Sequence, residues 1–291
     1  MSEHLKGIAI TALGVLFVVP DSLFVRLIDA EPFAIAFWRA LTAGGLIAAG
    51  VLMLRGASGF GAVLRTGRAG AIYTFLIGLS APGFVVAVSL TSVANVVFIF
   101  ASIPVFAAIF SRLFLGEAIS GRMILTMLAV GAGLGVIAYG SHGNEVASWQ
   151  GDLVALMVSI CFAGALTAVR RVRATSMIPA IPIGYLLAAC LMFIVSDPFA
   201  AWSSQWPLLL AHGGFIAIST SLLTLGPRFI SSPEVSLLIL LESVLAPLLV
   251  WAIVGEDPGP WALSGGALVI GALLVSNLVA MRAHDRRRTV S

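Results

Sequence analysis

The sequence predicts an all-α membrane protein with ten transmembrane helices, arranged as two inverted five-helix repeats around a central cavity. Three observations predict it. First, 60% of the 291 residues are hydrophobic and 10% are charged, with a mean hydropathy of +1.09, whereas a soluble domain carries about 25% charge. One soluble core could not hide so much apolar surface. Second, apolar stretches of about 20 residues, enough to cross the hydrocarbon layer, recur along the chain. Third, ANVVFIFASIPVFAAIFSRLFLGE (94–117) is echoed 139 residues later by PEVSLLILLESVLAPLLVWAIVGE (233–256). That shift lays Gly116-Glu117 on Gly255-Glu256 and Ala107 on Ala246.

The spans are read at 7–25, 33–54, 69–88, 93–114, 120–139, 151–169, 178–196, 207–226, 234–254 and 260–281. The first begins after Lys6 and shows no small-residue cleavage pattern before Asp21, so it is expected to stay as a helix. Residues 69–111 carry no charge and hold two spans joined by a tight turn near Thr91-Ser92. Connections are short, so neighbouring helices run antiparallel. Placing the N-terminus in the cytoplasm puts every Lys and Arg except Arg26 and Arg39 on that side. Asp29, Glu31, Glu145, Asp197, Glu256 and Asp257 then fall on the other. This is the positive-inside pattern, and it predicts cytoplasmic termini. It also accounts for the net charge of +3 and the pI of 9.3 without nucleic acid.

Residues 1–140 form the first repeat, 150–281 the second, and 282–291 a basic cytoplasmic tail. Gly7 to Arg26 falls on Gly151 to Arg170 with a shift of 144, and the Pro32–Trp38 spacing recurs as Pro179–Tyr185. Because each half has an odd number of spans, the second half enters the membrane upside down. Secondary transporters commonly use this architecture and bind substrate near mid-depth between the halves.

Charge inside these spans marks the candidate site, because an ionised side chain at the centre of a lone helix in lipid costs about 2.5–3.5 kcal/mol or more. Glu242 lies about two turns inside the ninth span, and its repeat counterpart is Ile103. It is read either as a proton or ammonium partner or as a structural carboxylate. Asp21 and Arg39 lie eight residues from Asp29 and Glu31 on adjacent antiparallel helices. That is equal depth, about 12 Å at 1.5 Å per residue, so they can pair. A structural ion pair and a gating or substrate-carboxylate role are both open.

Asn95, Phe98 and Ser102 recur at helical spacing on the fourth span. Phe17, Trp38, Tyr73, Tyr185 and Trp251 are candidate cavity walls, with core packing as the plain alternative. His212 is read as a hydrogen-bonded core residue in the outer part of the eighth span. Cys161 and Cys190, inside apolar runs, are read as buried thiols. Gly131, Gly133 and Gly135 in the fifth span, and Gly265, Gly266 and Gly271 in the tenth, allow close helix contact, within the chain or in a homodimer. No serine-hydrolase, zinc-protease or P-loop motif occurs, and no metal site or cofactor is expected.

The helix count, Arg39 in FWRALTAGGLIAAG, and LLESVLAPLLVWAIVGED resemble the EamA-type drug/metabolite transporters over nearly the whole chain. The chain is similar, among these, to the YddG-like aromatic amino-acid exporters. That family commonly has proline after the ninth-helix glutamate, where this chain has Ser243; Pro247 follows one turn later. The resemblance implies a multi-pass protein of a bacterial inner membrane, with a cavity formed by helices 1–4 and 6–9 and with helices 5 and 10 peripheral. It implies export of amino acids, aromatic ones included, by alternating access. Glu242 would face the ammonium group; Arg39 and Asn95 would face the carboxylate. An exporter of drugs or organic cations is the nearest alternative, and a non-transporting scaffold or membrane enzyme is the alternative from another class. A sugar-phosphate exchanger would need more basic residues in the cavity than Arg39.

Overall fold

The structure, a computed structural model, describes residues 3–141, 147–172, 174–225, 229–230 and 232–288. Glu145, Arg173 and Arg228 of the expected charge pattern lie outside these residues, as do the side chains of the tail arginines. The described residues form helices: α1 (Glu3–Val18), α2 (Asp21–Leu27), α3 (Pro32–Arg55), α4 (Ser58–Leu64), α5 (Gly67–Leu90), α6 (Val93–Phe100), α7 (Ile103–Leu115), α8 (Gly121–Gly140), α9 (Trp149–Arg171), α10 (Ala180–Val195), α11 (Trp202–Leu225), α12 (Ser232–Val254) and α13 (Gly259–Arg288). Eight helical segments are long and apolar enough to cross a membrane, counting α1–α2 and α6–α7 as one each; Ala180–Val195 and Leu238–Val254 are shorter apolar helices. Leu54, Phe75, Leu125 and Ile194 are at least two-thirds exposed. Large apolar side chains on the outside of so many helices need a lipid solvent. The chain is an integral, multi-pass membrane protein.

Breaks and starts follow local chemistry. Pro20 has no N–H to donate, and α1 gives way to α2 there, so that Asp21 opens the new helix. Ala101-Ser102 separates α6 from α7 just before Pro104. The turn between α5 and α6 falls at Thr91-Ser92, where the Ser92 hydroxyl accepts the Asn95 N–H. Ser120 and Ser148 cap α8 and α9 in the same way. Pro82 and Pro247 lie within unbroken helices.

Three expectations change. α11 begins at Trp202, with Pro207 inside it rather than at its start. His212 is therefore close to the middle of that helix, not in its outer part. α13 continues to Arg288, so helix extends through most of the segment read as a tail. Cys190 is exposed and Cys161 only partly buried; an apolar run buries a thiol only on the bundle side, and Cys190 takes the lipid side with Leu187 and Leu191.

Packing occurs in related pairs. α5 lies along α9, as α1 lies along α11; α10 touches α5, as α3 touches α11; α7 touches α9, as α12 touches α1. α3 packs on α10, and α8 on α13. Individual contacts recur at the offsets of 144 and 139. A Cβ on Gly7 would stand 2.6 Å from Ile230, and one on Gly151 would stand 2.6 Å from Thr91. Gly14 meets Leu222 where Val158 meets Gly83. The two glycine-rich helices face each other: a Cβ on Gly133 would lie 2.8 Å from the Gly265 carbonyl, and one on Gly265 2.7 Å from that of Gly133. Only backbone-close contact satisfies both. Gly131, Gly135 and Gly271 face open space.

Candidate functional site

Three helices bring a charged node into the bundle. Asp21, at the start of α2, accepts two hydrogen bonds from Arg39 of α3: Nε to Oδ1 at 2.9 Å and Nη2 to Oδ2 at 2.6 Å. His212 of α11 places Nε2 2.6 Å from Asp21 Oδ1. All three are buried, with relative exposures of 3%, 6% and 0%. Two-point contact with a carboxylate is what the planar guanidinium fork favours, and it offsets much of the cost of dehydrating both ions. The Phe24 ring stacks on His212 at 5.3 Å, and the Phe84 ring lies 5.4 Å from the guanidinium carbon.

The node is charged but not fully satisfied. Arg39 Nη1, His212 Nδ1 and Ser22 Oγ are buried without a hydrogen-bond partner. A buried polar group left unmatched costs about 1–3 kcal/mol, so three of them together call for an explanation. Tyr185 of α10 and Glu242 of α12 lie within electrostatic reach of Arg39, and Glu242 also within reach of Asp21. Glu242 is half-buried, on the same side of α12 as buried Ala246. Elements from both halves of the chain thus surround one guanidinium.

Other candidates are placed elsewhere. Trp38, beside Arg39 in sequence, donates its indole N–H to the Pro198 carbonyl at 2.7 Å and stacks on Trp202 at 4.2 Å. Phe37, Phe193 and Phe199 complete that aromatic cluster. Phe17 packs against Phe215. Phe98 packs against Gly266 of α13, and the Ser102 hydroxyl, in the break between α6 and α7, donates to the Ile99 carbonyl at the end of α6. Trp251 is half-exposed on the outside of α12, not on an inner wall.

Asn95 belongs to a second polar node. Its side-chain amide donates to Asp152 Oδ1 at 2.9 Å and to Ser141 Oγ at 2.8 Å. The hydroxyls of Thr91 and Ser141 donate to the same carboxylate. Asp152 was missed in the sequence because the second residue of a span reads as a solvated helix end; it is 6% exposed. The available signal was the cluster of small polar residues at Thr91, Ser92, Asn95 and Ser141, which need a shared acceptor once buried. Arg26, one of the two basic residues outside the positive-inside pattern, pairs with Glu256 at 2.6 Å.

Two hollows lie away from the first node. One of about 460 Å³ is lined by Arg65, Thr66, Arg171 and Thr175; a crevice of about 30 Å³ is lined by Asn95, Pro258 and Trp261.

Comparison with known proteins agrees with this architecture. A solved structure described only as a crystal structure of a protein superposes with a TM-score of 0.64 at 19% identity, covering 96% of this chain and 99% of that one. The likeness shows a shared fold. No curated protein matches. Residues 5–139, which contain Asp21, Arg39 and Asn95, match the EamA-like transporter family. The match covers a little under half of the chain, and the family it points to is one of membrane transporters, not of enzymes.

Proposed function

We propose that this transporter exports amino acids, aromatic ones included, across a bacterial inner membrane, with both termini in the cytoplasm. The observation that carries the reading is the buried Arg39 guanidinium, held on one side by Asp21 and left with a free Nη1, beside the half-buried carboxylate of Glu242. A zwitterion needs a cation for its carboxylate and an anion for its ammonium group. Arg39 Nη1 supplies the first contact and Glu242 the second. Tyr185, Tyr73 and Phe84 are the buried rings nearest these charges and would meet the substrate side chain, and contact by area rather than by directed hydrogen bonds favours broad selectivity.

The reading includes ten membrane crossings in two inverted halves, with substrate held between them. The paired contacts Gly7–Ile230 and Gly151–Thr91 support it. Access alternates as one half rocks on the other; the breaks at Pro20 and before Pro104 give the first half bending points in its first and fourth crossings.

Uptake into liposomes holding the purified protein tests this reading, using a panel of labelled amino acids and one labelled organic cation. Amino acids are expected to accumulate above empty vesicles, with aromatic ones among them. Accumulation of the cation alone would replace the amino-acid reading with that of a drug exporter.

A further inference from the structure

Two ion pairs stand at the ends of the bundle, and they are the same pair in the two halves. The offset of 144 takes Arg26 to Arg170, and the offset of 139 takes Glu117 to Glu256. Arg26 binds Glu256, and Arg170 binds Glu117. Arg26 follows the first crossing and Glu256 the ninth; Arg170 ends the sixth and Glu117 follows the fourth. Each pair therefore joins one half to the other. Arg26 shares its end of the bundle with the α5–α6 turn, through its bond to the Thr91 carbonyl, and with the start of α9, which packs on the same turn. Arg170 lies a full helix length away, at the other end of α9.

The two pairs differ in closure. Arg26 Nε meets Glu256 Oε2 at 2.6 Å, with side-chain exposures of 19% and 8%. Its Nη2 also donates to the Thr91 carbonyl at 2.8 Å, and Glu256 Oε1 accepts the Val93 N–H at 2.6 Å. This pair ties the ends of α2 and α12 to the α5–α6 turn. Arg170 meets Glu117 at 3.2 Å, with exposures of 57% and 48%, and its further bond is to the Ser111 hydroxyl on the neighbouring helix.

From this asymmetry we infer that Arg26–Glu256 and Arg170–Glu117 are alternating latches: the first, closed here, seals its end of the transporter, and the second closes the opposite end when the first opens. The inference rests on the two-halves reading, not on the choice of substrate. A latch that exists in only one of two states biases their populations by its own strength. Arg26–Glu256 is shielded from solvent and bonded at three points, so it holds its end shut. Arg170–Glu117 is hydrated and adds little in this state. Symmetry requires the opposite in the other state. In the reading of orientation given above, the closed end faces away from the cytoplasm.

Cysteine accessibility tests the latches without any substrate. Cys161 and Cys190 are replaced, and one reporter cysteine is placed at Ala30, near Arg26, or at Thr175, beyond Arg170. Reconstituted protein is labelled from either side with a membrane-impermeant maleimide. Arg26→Gln is expected to raise labelling at position 30 about tenfold and to lower it at position 175, the scale set by losing a shielded charged hydrogen bond. Arg170→Gln is expected to change position 30 little. The exchange Arg26→Glu with Glu256→Arg should restore the original pattern. If Arg26→Gln destabilises the fold, Glu256→Gln with thermal unfolding measured in parallel replaces it. Unchanged labelling in a folded Arg26→Gln or Glu256→Gln protein would overturn the inference, as would equal shifts from Arg26→Gln and Arg170→Gln. Failure of amino-acid uptake would leave these outcomes unaffected.

Discussion

Two acids are buried in this bundle with polar company, and they differ in how completely they are matched. Asp152 receives the Thr91 and Ser141 hydroxyls and the Asn95 amide, and those donors find partners in it and in each other. Asp21 is equally well bound, by Arg39 and His212, but the donors around it keep open positions: Arg39 Nη1, His212 Nδ1 and Ser22 Oγ. Neutral donors around one carboxylate, all satisfied, make a fastener for the α5–α6 turn, the end of α8 and the start of α9. A guanidinium with one edge occupied and one free is, in the proposed reading, a place for a substrate that arrives and leaves. The two acids differ in satisfaction, not in burial, and the proposal rests on that difference.

The comparison breaks most sharply at Arg39. Arg39→Leu leaves Asp21 charged, buried and held only by His212, and removing one partner of a buried pair costs about 3–5 kcal/mol. Thermal unfolding in detergent should show the largest loss of any single variant considered for this bundle. Arg39→Lys keeps the charge but cannot hold both Asp21 oxygens and a substrate through one planar fork. It should fold more stably than Arg39→Leu and still transport poorly in liposomes. Near-normal transport by Arg39→Lys would mean that the free Nη1 has no part in the site.

Asp152→Ala is the next largest. It strands the Thr91 and Asn95 donors, at about 1–3 kcal/mol for each group left unmatched, partly relieved by water at the bundle end. Stability should fall while transport per folded molecule stays near that of the parent protein. A variant that folds well but loses transport would move Asp152 into the functional class and dissolve the contrast with Asp21.

Much of the fold was legible because lipid imposes simple rules. Every crossing had to be a long apolar helix, and the offsets of 144 and 139 read from the sequence recur in the contacts of Gly7 with Ile230 and of Gly151 with Thr91. The depth of Asp21 and Arg39 could be counted from the loop acids. What the sequence hid was orientation about each helix axis. Asn95 and Ser102 lie on one helical stripe of the fourth crossing, yet Asn95 turns to Asp152 and Ser102 bonds the Ile99 carbonyl at the end of α6. Nothing in the spacing distinguishes a substrate-facing amide from one already matched, because the match comes from α8 and α9. His212 was misplaced in depth because Pro207 reads as a helix start, although a proline in the first turns is tolerated when its missing bond falls near the helix end.

A smaller effect sharpens the comparison from outside both nodes. Gly133→Ala forces a Cβ to within 2.8 Å of the Gly265 carbonyl on α13. Backbone cannot retreat as a side chain can, so α8 and α13 must separate, at about 1–3 kcal/mol. Gly131→Ala, which points into open space, should be neutral. Transport should follow folded protein in both, because these helices contribute no group to the Asp21 node. Transport lost from a stable Gly133→Ala protein would show that the α8–α13 contact moves during the cycle.

Glu242→Gln should disturb stability little, within about 0.5 kcal/mol, since the side chain keeps its shape and is only half-buried. Its effect on transport should be out of proportion to that. Glutamine can accept a hydrogen bond from an ammonium group but cannot neutralise it, and losing a charge-assisted hydrogen bond is worth about tenfold in apparent affinity. Uptake measured against amino-acid concentration should therefore show a raised half-saturation, while a carboxylate-only analogue without the ammonium group should bind both proteins equally. Equal loss for the amino acid and the analogue would assign Glu242 to the architecture of the halves, alongside Asp152, and leave Arg39 as the sole charge offered to the substrate.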